Sequence, residues 1–161
     1  MGNRTVANAL EHIGDSLYII GRELQEVFQK SEPVKLRATM HEIAEYAKFV
    51  NGIGVNATNA FFSENLKLAN EAIRREEEAE MEGKALRKDV TSIGEWQSRK
   101  QEVDITSDPR EIDVNFRLKT ILSLDAEIAN HGRSIAGVTI NRTLEHENPI
   151  CKIEQIPLTG L

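Results

Sequence analysis

The chain has 161 residues, 40% of them hydrophobic, 29% charged and 5% aromatic, with 20 basic against 26 acidic side chains and a net charge of −6. That length suits one domain of ordinary size, and a composition poor in aromatics and rich in Leu, Ile, Ala and Glu favours helices over a β-sandwich or barrel. The acidic balance argues against nucleic acid or an anionic membrane as the main partner, and the single cysteine, Cys151, excludes an intrachain disulfide.

The opening MGNRTV lacks the apolar core of a signal peptide, and no run approaches the roughly 20 apolar residues of a membrane span. Gly2 raises myristoylation, but Val6 stands where that signal needs Ser or Thr. A cytoplasmic or virion-associated protein is the expectation.

From Asn3 to Lys30, the residues Val6, Leu10, Ile13, Leu17, Ile20, Leu24 and Val27 recur at alternating spacings of four and three. This is a heptad seam, with Asn3 or Thr5 able to cap the helix that carries it. Leu10, Leu17 and Leu24 fall at a, and Ile13, Ile20 and the valines at d. Leucine at a with β-branched residues at d disfavours a two-stranded coil and favours four helices. Ala7, Gly14 and Gly21 occupy the flanking e positions, which predicts close approach of a second helix there.

Ser31-Glu32-Pro33 breaks the chain and restarts it. A second helix follows from Pro33 to Asn51 on Leu36, Met40, Ile43, Ala47 and Val50, and so short a connection predicts that the first two helices are antiparallel neighbours. Asn51-Gly52-Ile53-Gly54 reads as a turn. A third helix is expected from Asn56 with a stripe at Phe62, Leu66, Ala69 and Ile73. The stripe is lost beyond Ile73 while the helix is expected to continue on strong helix formers, and Glu71 to Glu82 holds six Glu against Arg74 and Arg75, a net −4. Such a run is a solvated helix face or a charge zipper to another copy. Residues 91–108 read as a connector containing Trp96 beside Arg99 and Lys100, with Trp96 anchoring it to its own domain or to a neighbouring subunit.

Asp108-Pro109-Arg110-Glu111 is a helix start, and the fourth helix, 109–132, buries Val114, Leu118, Ile121, Leu122 and Ile128. The alternation of Val138, Ile140 and Leu144 with polar residues suggests a strand, so 133–161 is expected to be extended or a short β-hairpin. The fold class is therefore mainly α: an antiparallel bundle of three to four helices with 1–90 as its oligomerisation region and an extended or hairpin C-terminus.

Four residues could bind metal: Glu11 and Asp15 on the first helix, His41 and Glu45 on the second, each pair four apart on one helix face. Carboxylate-bridged sites of this kind occur in di-iron bundles, and all-α nucleotide pyrophosphatases hold magnesium on helical Glu and Asp. The chain departs from both patterns, since two Glu-x-x-His units are lacking and Glu11 and Asp15 point away from the seam. Glu45 also stands where a zinc protease needs its second His. Arg133, Arg142 and His146 are candidates for binding a small anionic ligand. Cys151 has no context that would activate its thiol, and no phosphate loop or zinc cluster is present. No catalytic residues and no cofactor are assigned.

These features point to a non-catalytic assembly, adaptor or scaffold protein of bacterial or phage origin. Its first partner is itself, in a homo-oligomer of four or more chains formed through Leu10, Gly14, Leu17, Gly21, Leu24 and Trp96, with other assembly proteins as further partners. A metal-dependent hydrolase, or a bundle that binds a nucleotide or other small ligand, is the alternative.

Overall fold

The computed structural model describes residues 2–30, 33–100 and 109–147, and side chains over 2–30, 36–90 and 113–145. Four long helices account for nearly all of them: α1 (Gly2–Lys30), α2 (Pro33–Ser63), α3 (Leu66–Lys100) and α4 (Pro109–Glu147). The described residues contain no strand. The other three helices each pack along α4, and α2 also packs along α3.

Cross-helix pairs give the directions. Lys30 meets Asp113, Glu23 meets Arg117 and His12 stacks on His131, so α1 runs antiparallel to α4. Glu76 pairs with Arg133 and Arg87 reaches the Leu122 carbonyl, so α3 is antiparallel to α4 as well. Gly54 lies beside Gly132 and Glu64 beside Arg142, which makes α2 parallel to α4.

The central place of α4 follows from its sequence. Val114, Leu118, Ile121, Asp125, Ile128, Gly132, Ile135 and Thr139 alternate at four and three, and all are buried. Leu122, Ala129 and Ala136 bury a third row. A helix buried on so many rows needs neighbours on several sides, and α1, α2 and α3 supply them.

Several expected boundaries are corrected. The expected turn at 51–54 is helical, and α2 runs through it. Gly132 on α4 admits a close crossing at this point, since a Cβ on it would lie 3.2 Å from Ile53 Cγ2 and 3.5 Å from Gly54 Cα. Tertiary packing outweighs the roughly 1 kcal/mol propensity cost of each mid-helix glycine. The true break is at Glu64, whose φ of 52° is left-handed. There the Asn65 amide donates to the Ala60 carbonyl at 3.0 Å, while Asn65 Oδ1 accepts from the Lys67 and Leu68 amides and caps α3.

The apolar stripe of α3 does not end at Ile73. Ala69, Ala72, Glu76, Ala79, Gly83, Leu86 and Val90 continue at four-three spacing as its inward face. The helix extends to Lys100, into the expected connector. In place of a strand over 138–144, α4 continues to Glu147. Ile135, Ala136 and Thr139 are buried at helical spacing, and the hydroxyls of Thr139 and Thr143 donate to the carbonyls four residues back. Residues 148–161, including Cys151 and any hairpin partner, lie outside the described residues.

Candidate functional site: an apolar groove along the first helix

The heptad seam of α1 is split between two surroundings. Its d positions turn to α4: Val6 and Val27 are buried, Ile13 and Ile20 partly so, and the neighbouring g positions Ala9 and Ser16 are buried with them. The a positions turn away from that contact, leaving Leu10 40% and Leu17 54% exposed, followed by Phe28 at 59%. The first two helices do run antiparallel, but the expectation that they are neighbours is corrected in that they do not pack directly on each other. The d and g rows spend α1 on α4, and a groove separates α1 from α2.

This groove has a volume of about 810 Å³. Leu10, Ile13, Leu17, Ile20, Leu24 and Phe28 form one wall, α2 forms the other with Met40, Ile43, Ala47 and Val55, and Ile121, Asp125 and Ile128 of α4 form the floor. The wall made by α1 is held in register by a cluster of charges. Arg117 binds Glu23 at 2.7 Å and Asp113 at 3.1 Å, and Lys30 binds both Asp113 and Glu26 at 3.0 Å. Hydrogen bonds from Lys30 and then Arg117 hold the Asp113 carboxyl below its usual range.

Asp125 is the one acidic residue among the described residues of the lining. It is 3% exposed, and its Oδ2 has no hydrogen-bond partner among the described residues. Burial alone pushes its carboxyl up to about 6. The nearby Tyr46 hydroxyl does not serve it, because that O–H donates to the Ala79 carbonyl at 3.0 Å. Burial first, and the Asp125 charge second, push the Tyr46 hydroxyl up to about 12.

The sequence-derived candidates are placed as follows. Glu11, Asp15, His41 and Glu45 are all exposed and are not brought together; Glu45 pairs with Lys48 at 2.6 Å. Among the described residues no group of three or more His, Cys, Asp or Glu side chains could hold a metal ion. Arg133 is engaged by Glu76 at 2.7 Å, so that part of the acidic run is an intrachain contact. Arg142 pairs with Glu64 at 2.9 Å, lies over the Phe61 ring and lines a polar hollow with Arg4 and Glu145. The side chains of Trp96 and His146 lie outside the described residues. Leu10, Leu17 and Leu24 line the groove, while Gly14 and Gly21 have no neighbouring atom within 4 Å of a Cβ position. None of the described helices approaches that glycine stripe.

Two features escaped the sequence patterns. Asp125 could have been found as a polar residue at a core position of the four-three pattern of the fourth helix. The stacked pair His12 and His131, with ring centroids 5.1 Å apart, had no sequence signal, because its members come from helices 119 positions apart. Burial, and then the neighbouring His12, hold His131 below the usual imidazole value.

Comparison of the chain with protein-family models, curated proteins and solved structures finds no match.

Proposed function

We propose that this chain is a non-catalytic interaction protein that assembles with a second copy of itself through the exposed stripe of α1. The reading is supported by one observation above others. Leu10, Gly14, Leu17, Gly21 and Leu24 form a continuous heptad edge with open space at both glycines. Its pattern reads Leu-Gly-Leu-Gly-Leu in either direction. An antiparallel pair centred on Leu17 therefore sets Leu10 of one copy opposite Leu24 of the other, with the glycines admitting close approach. Leucine at a with isoleucine at d favours four helices around the seam. Because α4 already covers the d row of α1 in its own chain, two copies bring together four helices, α1 and α4 of each, fewer than the four or more chains expected from the seam alone.

The experiment is sedimentation velocity from about 1 to 100 μM on the wild type and on Leu17→Glu. A dimer that Leu17→Glu converts to a monomer of unchanged helicity supports the reading. A wild-type monomer at 100 μM overturns it.

A further inference from the structure

The floor of the groove carries a feature that self-association does not use. Asp125 sits between Ile121 and Ile128, one helical turn from each, with the apolar α1 wall on one side and, on the other, an α2 wall that carries Lys48, Asn51, Thr58 and Asn59 beside its apolar residues. A carboxylate taken out of water is costly unless a cation or several donors compensate it. Here Oδ2 has no donor among the described residues. The basic residue of the lining, Lys48, is 71% exposed at the side chain and bound to Glu45. Of the other ionisable groups nearby, the Tyr46 hydroxyl faces Ala79 and the Arg87 guanidinium donates to the Leu122 carbonyl at 3.2 Å. From α1, the lining residues that face Asp125 carry no charge.

A buried carboxylate without a counter-charge, set in an apolar trough, is complementary to a ligand with the opposite arrangement. We propose that the groove between α1 and α2 binds a lipophilic amine, an apolar body with one protonated nitrogen that pairs with Asp125. The ammonium supplies the counter-charge that the Asp125 carboxylate lacks, and the apolar body lies along Leu10, Leu17 and Val55. The size favours a small molecule. A volume of about 810 Å³ falls within the roughly 300–1,000 Å³ of small-ligand sites. A helix as long as the α1 wall, Leu10 to Phe28, displaces roughly 2,000 Å³ at 1.5 Å rise and 10 Å diameter. It covers the rim more readily than it fills the floor. Amine binding does not require self-association, although Leu10 and Leu17 belong to both surfaces and link the two.

The test compares three probes with one ten-carbon chain and different head groups: decylamine, decanol and decanoate, titrated calorimetrically below their micelle points at pH 7.5. The expected result is that decylamine binds at least tenfold more tightly than the other two. Asp125→Asn then brings decylamine to the level of decanol while the thermal midpoint is kept or raised. Wild-type affinity for decylamine falls as the pH is lowered through about 6, where Asp125 takes up its proton. Ala47→Phe, which fills the trough from the α2 wall, weakens decylamine and decanol alike and provides a second variant. Equal binding of decylamine and decanol overturns the proposal, as does full retention of decylamine binding by Asp125→Asn. Binding of an amphipathic lysine-bearing helical peptide with no binding of decylamine overturns it in favour of a protein partner. Sedimentation without any amine reads self-association separately, so either reading can fail alone.

Discussion

Where α3 packs against α2 and α4, its inward face is made largely of small residues, Ala69, Ala72, Ala79 and Gly83, with Ala79 and Gly83 set against Tyr46 of α2. Where α4 meets α1 and α2, the residues are larger and more hydrophobic, yet Leu10, Leu17, Val55 and Phe28 remain exposed. Small residues let two helices approach until little space is left between them, so a seam of alanines closes a dry core. Leucines on a helix already committed to α4 by its d row have nothing left to pack on among the described residues of the same chain. Hydrophobicity along the sequence and burial in the fold are therefore in opposite order on the two sides.

The sharpest way to break this contrast is to truncate one side chain on each side. Leu122→Ala, at a fully buried position, is expected to lower stability by about 2–5 kcal/mol in urea denaturation. Leu17→Ala, at a half-exposed one, should cost less than about 1 kcal/mol at concentrations where the chain is monomeric. Equal losses would show that the groove side is as tightly closed as the other.

Asp125 sharpens the comparison through pH. Its carboxyl is raised from 3.8 to about 6 by burial, so the folded chain holds a proton that the unfolded chain releases earlier. The stability carried by that proton is complete below about pH 4 and is lost as pH rises through about 6. A tenfold change in proton affinity is worth about 1.4 kcal/mol, so Asp125→Asn should stabilise the protein by about 2–3 kcal/mol at pH 8 and by little at pH 3.5. Thermal midpoints of the two proteins across that range check it. Parallel curves would mean that Asp125 is compensated in solution.

Two kinds of glycine extend the contrast. A Cβ at Gly83 would lie 2.4 Å from the Tyr46 hydroxyl and 2.9 Å from its ring, so Gly83→Ala displaces a buried tyrosine and should cost about 1–3 kcal/mol. Gly14→Ala and Gly21→Ala meet nothing and should each gain about 0.5–1 kcal/mol in the monomer. The same pair should weaken self-association, and sedimentation of the double variant reads both effects. The smallest expected change is at the α2–α3 turn. Glu64→Gly relieves a left-handed φ and should gain up to about 1 kcal/mol in urea denaturation, offset slightly by loss of its exposed pair with Arg142.

Much of the helical character is legible in the sequence. The α1 seam, the restart at Pro33, the start at Pro109 and the inward residues Val114, Leu118, Ile121, Leu122 and Ile128 are all readable from spacing and capping chemistry. The inward face of α3 is not, because Ala, Glu and Gly do not register as an apolar stripe. The helical course of 133–147 is hidden because Val138, Ile140 and Leu144 also fit a period of two. Glycines mislead in both directions, as turns and as contacts. Gly14 and Gly21 stand open, whereas Gly83 and Gly132 are the ones pressed by neighbours.

The sequence by itself determined an acidic, mainly helical chain with no intrachain disulfide and a first helix of heptad design, because periodicity and capping are local properties. Only the tertiary structure decided which rows of that seam would be covered. The d and g rows went to α4, the a row was left along a groove, and Asp125 was set on its floor without a counter-charge. That outcome depends on how close α2, α3 and α4 can approach one another. The approach is governed by alanines and glycines far apart in the chain, whose partners no local pattern reveals.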